Sequence, residues 1–174
     1  GTPNFGVPVS TDDVIAAPSG DMGIDPLPDI NDMPAVHFAS VGMDGAYLAH
    51  NSTFIEVNFG ADDMPQSLFR IVPGLADEEA ISIESVNMAG FYLSQQNNAV
   101  VLSANDGSEA AADNATWWMQ PGLADEAGVS FESYTQPGFY IGRRMGIVAL
   151  TEITEDTPDV QREDATYLVE DATP

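Results

Sequence analysis

Pro73-Gly74-Leu75-Ala76-Asp77 returns as Pro121-Gly122-Leu123-Ala124-Asp125, forty-eight residues later. Around it a second phrase occurs three times. Ser40-Val41-Gly42-Met43-Asp44-Gly45-Ala46-Tyr47-Leu48 is followed by Ser85-Val86-Asn87-Met88-Ala89-Gly90-Phe91-Tyr92-Leu93, and then by Ser133-Tyr134-Thr135-Gln136-Pro137-Gly138-Phe139-Tyr140-Ile141. A repeat of this length marks one supersecondary unit used several times, so it constrains the fold before any single residue is weighed. It also allows three copies of one candidate site to be compared within a single chain.

Working outward, each copy holds short alternating runs bounded by turn formers. The runs are Val36–Ser40, Phe54–Val57, Ile81–Ser85, Val100–Leu102, Val129–Ser133 and Ile147–Leu150, with Asn-Asn, Asn-Asp-Gly and Pro-Gly between them. Each copy closes on an aromatic run: Leu68–Ile71, Thr116–Met119 and Thr166–Val169. The spacing predicts about four strands per copy, in copies of about residues 35–79, 80–127 and 128–171. Hairpins repeated in an open sheet would leave bare edges, which a closed threefold arrangement removes. The expected fold is therefore all-β, a β-trefoil over residues 35–174. The one helix-like stretch, Ser108 to Asp113, is too short and alanine-rich to be a core element.

Residues 1–34 differ in texture, with Pro3, Pro8, Pro18, Pro26, Pro28 and Pro34 among many Asp and Gly. This composition predicts an extended arm or linker. Ordering it requires something to rest on, because fixing backbone costs about 1–2 kcal/mol per residue. Two supports are open: its own domain, or a neighbouring copy of the chain.

The chain of 174 residues carries 28 acids against four Arg and no Lys, for a net charge of −24. Long-range repulsion opposes both nucleic acid and anionic lipid, and no apolar run is long enough to insert in a membrane. Such a surface suits high salt, weak binding of many divalent cations, or solubility in an extracellular matrix. Without cysteine there is no thiol catalysis and no thiolate metal site. No basic, apolar leader opens the chain, and its start at Gly1 fits a mature or trimmed form. No cofactor motif is present, and the acidic clusters Asp12-Asp13, Asp62-Asp63 and Glu152 with Glu155-Asp156 lack the spacing of a calcium loop.

The phrases Ile83–Asn87, Gly90–Leu93, Asn105–Ser108, Asn114–Trp117 and Pro121–Asp125 resemble the arabinofuranose-binding β-trefoil module of α-L-arabinofuranosidases, carbohydrate-binding module family 42. Val129–Ser133 and Arg162–Tyr167 are similar to it again, so the likeness runs over about residues 35–171. The resemblance implies a secreted or cell-surface, non-catalytic domain that holds arabinose-bearing polysaccharide or another glycan, with one potential pocket per copy. In each pocket it implies a His three residues after the Gly-x-Tyr phrase and an Asp opening the Asp-Ala-Thr-aromatic phrase. Carboxylate and imidazole suit vicinal hydroxyls, while Tyr offers an apolar face to sugar C–H groups.

Comparing the copies gives the candidate residues. Copy one has Tyr47, His50 and Gln66; copy two has Tyr92, Gln95 and Asn114; copy three has Tyr140, Arg143 and Asp164. None keeps both His and Asp. Copy three retains the acid, and Arg143 has two options, donating to a sugar hydroxyl or closing on Asp164 as an ion pair. His37 lies in the first strand pattern and reads as structural. Of Trp117 and Trp118, adjacent in a strand and so on opposite faces, burial is expected for both. Asn51-Ser52-Thr53 and Asn114-Ala115-Thr116 are candidate N-glycosylation sites. The alternative function is a structural subunit of an extracellular filament or matrix, using residues 1–34 to grip the next copy.

Overall fold

The computed structural model describes residues 34–144 and 147–172. The expected arm, Pro34 excepted, lies outside the described residues, and so does its contact with a neighbouring copy. Within them the chain is all-β. Copy one supplies β1 (Val36–Ser40), β2 (Ala46–Asn51), β3 (Phe54–Phe59) and β4 (Phe69–Pro73). Copy two supplies β5 (Ile81–Ser85), β6 (Phe91–Gln96), β7 (Ala99–Ala104) and β8 (Trp117–Pro121). Copy three supplies β9 (Val129–Ser133), β10 (Phe139–Arg144), β11 (Ile147–Glu152) and β12 (Tyr167–Asp171). A short helical segment precedes the last strand of each copy. In copy one these are 3-10 turns, Ala61–Asp63 and Pro65–Ser67; in the others they are α1 (Glu109–Asn114) and α2 (Asp159–Glu163). Ser108 caps α1 by accepting from the Ala111 amide at 3.1 Å.

The strands close on themselves. β1–β12, β4–β5 and β8–β9 form antiparallel ladders, and single pairs join β1 to β4, β5 to β8 and β9 to β12, completing a ring of six strands. The remaining strands form three hairpins, β2–β3, β6–β7 and β10–β11. These meet tip to tip through Phe54↔Val101, Ala99↔Ala149 and Ile147↔Glu56. Both sets follow the same threefold relation as the sequence copies.

Period two in the strands decides which residues fill the interior. Three triplets have no exposed surface: Phe38, Ile83 and Phe131 on the first strands, Leu48, Leu93 and Ile141 on the second, and Phe69, Trp117 and Tyr167 opening the fourth. Trp118 departs from the expected burial. It is half-buried and lies against the Tyr134 ring at 5.7 Å, because the strand pleat turns it away from Trp117.

The Pro-Gly-Leu-Ala-Asp phrase is a loop locked by two hydroxyls. Ser82 Oγ accepts from Leu75 N at 3.0 Å and donates to Ala115 O at 2.6 Å; Ser130 does the same with Leu123 and Ala165. Thr116 Oγ1 accepts from Ala76 N and donates to Ala112 O, and Thr166 repeats this with Ala124 and Arg162. His37 stands where the other copies have Ser82 and Ser130. Its Nδ1 donates to Ser67 O at 3.2 Å, the matching carbonyl, which gives it a structural role.

The glycine of the phrase is required by the same closure. A Cβ on Gly122 would lie 2.1 Å from Asp125 O and 2.7 Å from Thr166 Cγ2. Gly122→Ala should therefore force the loop open and destabilise the protein by about 2–3 kcal/mol in urea unfolding. A change below about 0.5 kcal/mol, the range of neutral surface substitutions, would show that the loop is not constrained in this way.

Candidate functional site

Each copy builds its candidate site by the same local rules. Ser40, Ser85 and Ser133 accept through Oγ from Met43, Met88 and Gln136 amides at 3.1, 2.9 and 3.1 Å. The chain then turns through Gly45, Gly90 and Gly138, whose φ values of 80°, 87° and 88° belong to the left-handed region. The turn feeds β2, β6 or β10, which carries the Tyr and, three residues on, His50, Gln95 or Arg143. The short helical segment before the last strand delivers Gln66, Asn114 or Asp164.

The sequence pairings are real neighbours in copies two and three. Gln95 Nε2 donates to Asn114 Oδ1 at 3.0 Å. Arg143 Nη2 forms an ion pair with Asp164 Oδ1 at 2.8 Å, with the two side chains 22% and 14% exposed. Of the two options for Arg143, the geometry takes closure on the acid.

A third partner in every site comes from the next copy, which the sequence comparison did not assign. The third residue of the repeated phrase supplies it. Asn87 Nδ2 donates to His50 Nε2 at 3.3 Å. Thr135 Oγ1 accepts from Gln95 Nε2 at 3.3 Å, and Gln136 Nε2 reaches Gln95 Oε1 and Asn98 Oδ1 at 3.4 and 2.8 Å. Gly42 presses on Asp164 so closely that a Cβ there would lie 2.1 Å from Oδ1. The polar side chains of copies two and three are thus engaged with protein partners, those of copy two in part with copy three. The signal was present in the sequence, since this position reads Gly42, Asn87 and Thr135, but only the ring closure says which site it faces.

Copy one is open. A cleft of about 320 Å³ is lined by Ala49, His50, Asn51, Ser52, Glu56, Asn58, Met64 and Gln66. His50, 5% exposed, donates from Nδ1 to Ser52 O at 3.2 Å and accepts at Nε2 from Asn87, which selects the tautomer with its proton on Nδ1. Gln66 Oε1 is buried without a hydrogen-bond partner. Glu56 supplies a carboxylate that the sequence reading did not single out. Asn51 Nδ2 and Asn58 Nδ2 each donate to it at 3.1 Å, holding one oxygen apiece. It enters the cleft because β2–β3 register sets Glu56 opposite Ala49 and Asn58 opposite Tyr47.

The three Tyr differ in exposure, with Tyr92 buried and Tyr47 and Tyr140 half-buried. Tyr92 is 6% exposed and packs on Val72, Leu75 and Ala115. Tyr47 meets the edge of the His37 ring at 5.6 Å and is not among the residues lining the cleft. Burial, followed by the Glu84 charge for Tyr92 and the Glu132 charge for Tyr140, pushes both phenols above the usual range, so they remain protonated donors. Tyr47 is raised by burial and then by Glu170. Of the glycosylation candidates, Asn51 is exposed beside the β2–β3 turn, whereas the Asn114 amide is engaged by Gln95. Among the described residues, no group of three or more His, Asp or Glu is placed to hold a metal ion.

A family model described as the alpha-L-arabinofuranosidase B (ABFB) domain matches residues 36–169. The alpha-L-arabinofuranosidase B of Aspergillus niger is 33% identical over 76 residues, covering 41% of this chain and 15% of that protein. The arabinofuranosidase/B-xylosidase of Trichoderma koningii is 30% identical over 79 residues, covering 42% of this chain and 16% of that protein. The chain therefore matches only a small part of these relatives. A solved GH54 α-L-arabinofuranosidase soaked with a cyclic sulfate inhibitor superposes with a TM-score of 0.73 at 24% identity, over 84% of this chain and 33% of that one. An arabinofuranosidase complexed with arabinofuranosyl-alpha-1,2-xylobiose gives the same TM-score, identity and coverage. At that identity the likeness is one of fold.

Proposed function

Because the chain belongs to the alpha-L-arabinofuranosidase B domain family, we propose that it is a non-catalytic, extracellular module that binds arabinofuranose-bearing glycan through the cleft of copy one. The ring of six strands capped by three hairpins reads as a β-trefoil of three four-stranded copies spanning residues 35–174. The matched stretch is 15% of the Aspergillus niger protein's length, and that protein's catalysis is assigned to the rest of it.

The contrast between the copies carries this reading. Gln95 is bonded to Asn114 and Thr135, and Arg143 Nη2 is paired with Asp164, although Arg143 Nε and Thr151 Oγ1 in copy three are buried without a partner. A sugar entering either site would have to break bonds already made. In copy one an unpaired acceptor belongs to a residue that lines an open cleft. Turning the Gln66 carboxamide toward a sugar hydroxyl gains a bond for an acceptor that has none, and an unmade buried bond costs about 1–3 kcal/mol. Glu56 restores to the cleft the carboxylate that Gln66 lacks, and a charged acceptor makes a stronger hydroxyl contact than a neutral one. His50 forms a wall of the cleft, held at both nitrogens.

Calorimetric titration tests this. The full chain should bind methyl α-L-arabinofuranoside saturably, and methyl glycosides of glucose and galactose at least about tenfold more weakly, since unmatched hydroxyls leave the cleft's polar groups unpaired. Absence of saturable binding to any pentose-bearing glycan would overturn it.

A further inference from the structure

We infer that Phe54 is a stacking platform for the sugar ring adjoining the one held in the cleft, so that the site takes a segment of glycan rather than one terminal ring. The inference rests on the cleft being a sugar site. β3 alternates from Phe54 to Asn58: Ile55 and Val57 enter the core at 2% and 7% exposure, leaving Phe54, Glu56 and Asn58 on the opposite face. Across the hairpin their register partners are Asn51, Ala49 and Tyr47. Direct partners share a face with Cβ atoms about 5 Å apart. Ala49, Asn51, Glu56 and Asn58 all line the cleft. Phe54 continues that face beyond Glu56 by about 7 Å, two residues of strand rise.

Exposure alone would carry nothing, since single exposed apolar side chains are ordinary. Phe54 is 66% exposed, and two further observations give that exposure meaning. Its partner Asn51 holds the Glu56 carboxylate at 3.1 Å, so the ring begins where the cleft's polar rim ends. The matching residue, first in the second strand of each hairpin, is Ala99 in copy two and Ile147 in copy three. Neither offers a flat face, and both belong to copies whose site side chains are paired with one another. The aromatic occurs only beside the open cleft. A ring face meets the C–H groups of a pyranose or furanose without reading its hydroxyls. Phe54 therefore adds reach and affinity, while the cleft's polar groups set which sugar enters.

The test compares methyl α-L-arabinofuranoside with arabinofuranosyl-xylobiose, titrated into the full chain. The trisaccharide should bind the parent protein several-fold more tightly than the monosaccharide. Phe54→Ala should weaken the trisaccharide by about three- to tenfold, the range of an aromatic contact, and leave the monosaccharide unchanged. Phe54→Trp should restore the preference, and Ile147→Ala should change neither ligand. Equal affinities for the two ligands in the parent protein, or a Phe54→Ala variant that keeps the preference or weakens both alike, would overturn the platform while leaving the cleft standing. Binding of neither ligand would overturn the cleft reading itself. Self-association in sedimentation that Phe54→Ala abolishes would assign the ring to a contact between copies and also overturn the proposal.

Discussion

Replacing Trp117 by alanine should destabilise the protein by about 3–5 kcal/mol, the range for truncating a fully buried aromatic. Trp117 has no exposed surface and opens β8, where it pairs with Ile81 of its own copy and with Ser133 of copy three. Its Nε1 donates to Leu93 O at 3.0 Å. Tyr167 holds the equivalent place in copy three and donates through its hydroxyl to Ile141 O at 3.2 Å, the equivalent carbonyl. Phe69 fills the same place in copy one with no polar handle. Truncation thus removes one of three wedges on which the threefold core closes, and strands a buried carbonyl. Trp117→Phe separates the two effects in part, because a six-membered ring remains while the hydrogen bond, at about 1–3 kcal/mol, is lost together with the pyrrole half of the indole. Urea unfolding followed by circular dichroism provides the measurement. A loss below about 2 kcal/mol for the alanine variant would mean that the core closes without this side chain.

His50→Ala should lower affinity for an arabinofuranoside at least tenfold, which corresponds to about 1.4 kcal/mol. The imidazole forms a wall of the cleft, and both nitrogens are fixed, by Ser52 O and by Asn87. Removing it deletes that wall and frees Asn87 from its position across the copy boundary. Folding should survive, since His50 lies at the end of β2 and outside the apolar core. Titration calorimetry reads the affinity, and the unfolding midpoint controls for structure. Unchanged affinity in a folded His50→Ala protein would remove this cleft from the binding account.

Much of this was legible in the sequence, for identifiable reasons. β1, β5 and β9 coincide residue for residue with the alternating runs, because period two and a repeated phrase both mark them. The paired polar positions were legible because the resemblance implies them and the copies could then be compared. α2 was not, since five residues from Asp159 to Glu163 carry no apolar period. Glu56 and Asn58 were hidden because they reach the cleft through β2–β3 register, and Asn87 because it arrives from the next copy after the ring closes. The choice for Arg143 also depended on distance. Sequence leaves a donor beside an acid two options, and only their 2.8 Å separation selects the ion pair.

The central claim is that one of three related sites remains open. The number of sugars bound per chain tests it most directly, by saturating titration of the parent protein and of the His50→Ala and Asp164→Asn variants with an arabinofuranosyl ligand. One site per chain is expected, lost in His50→Ala and retained in Asp164→Asn. Two or three sites per chain, or a single site that survives His50→Ala and disappears in Asp164→Asn, would contradict it.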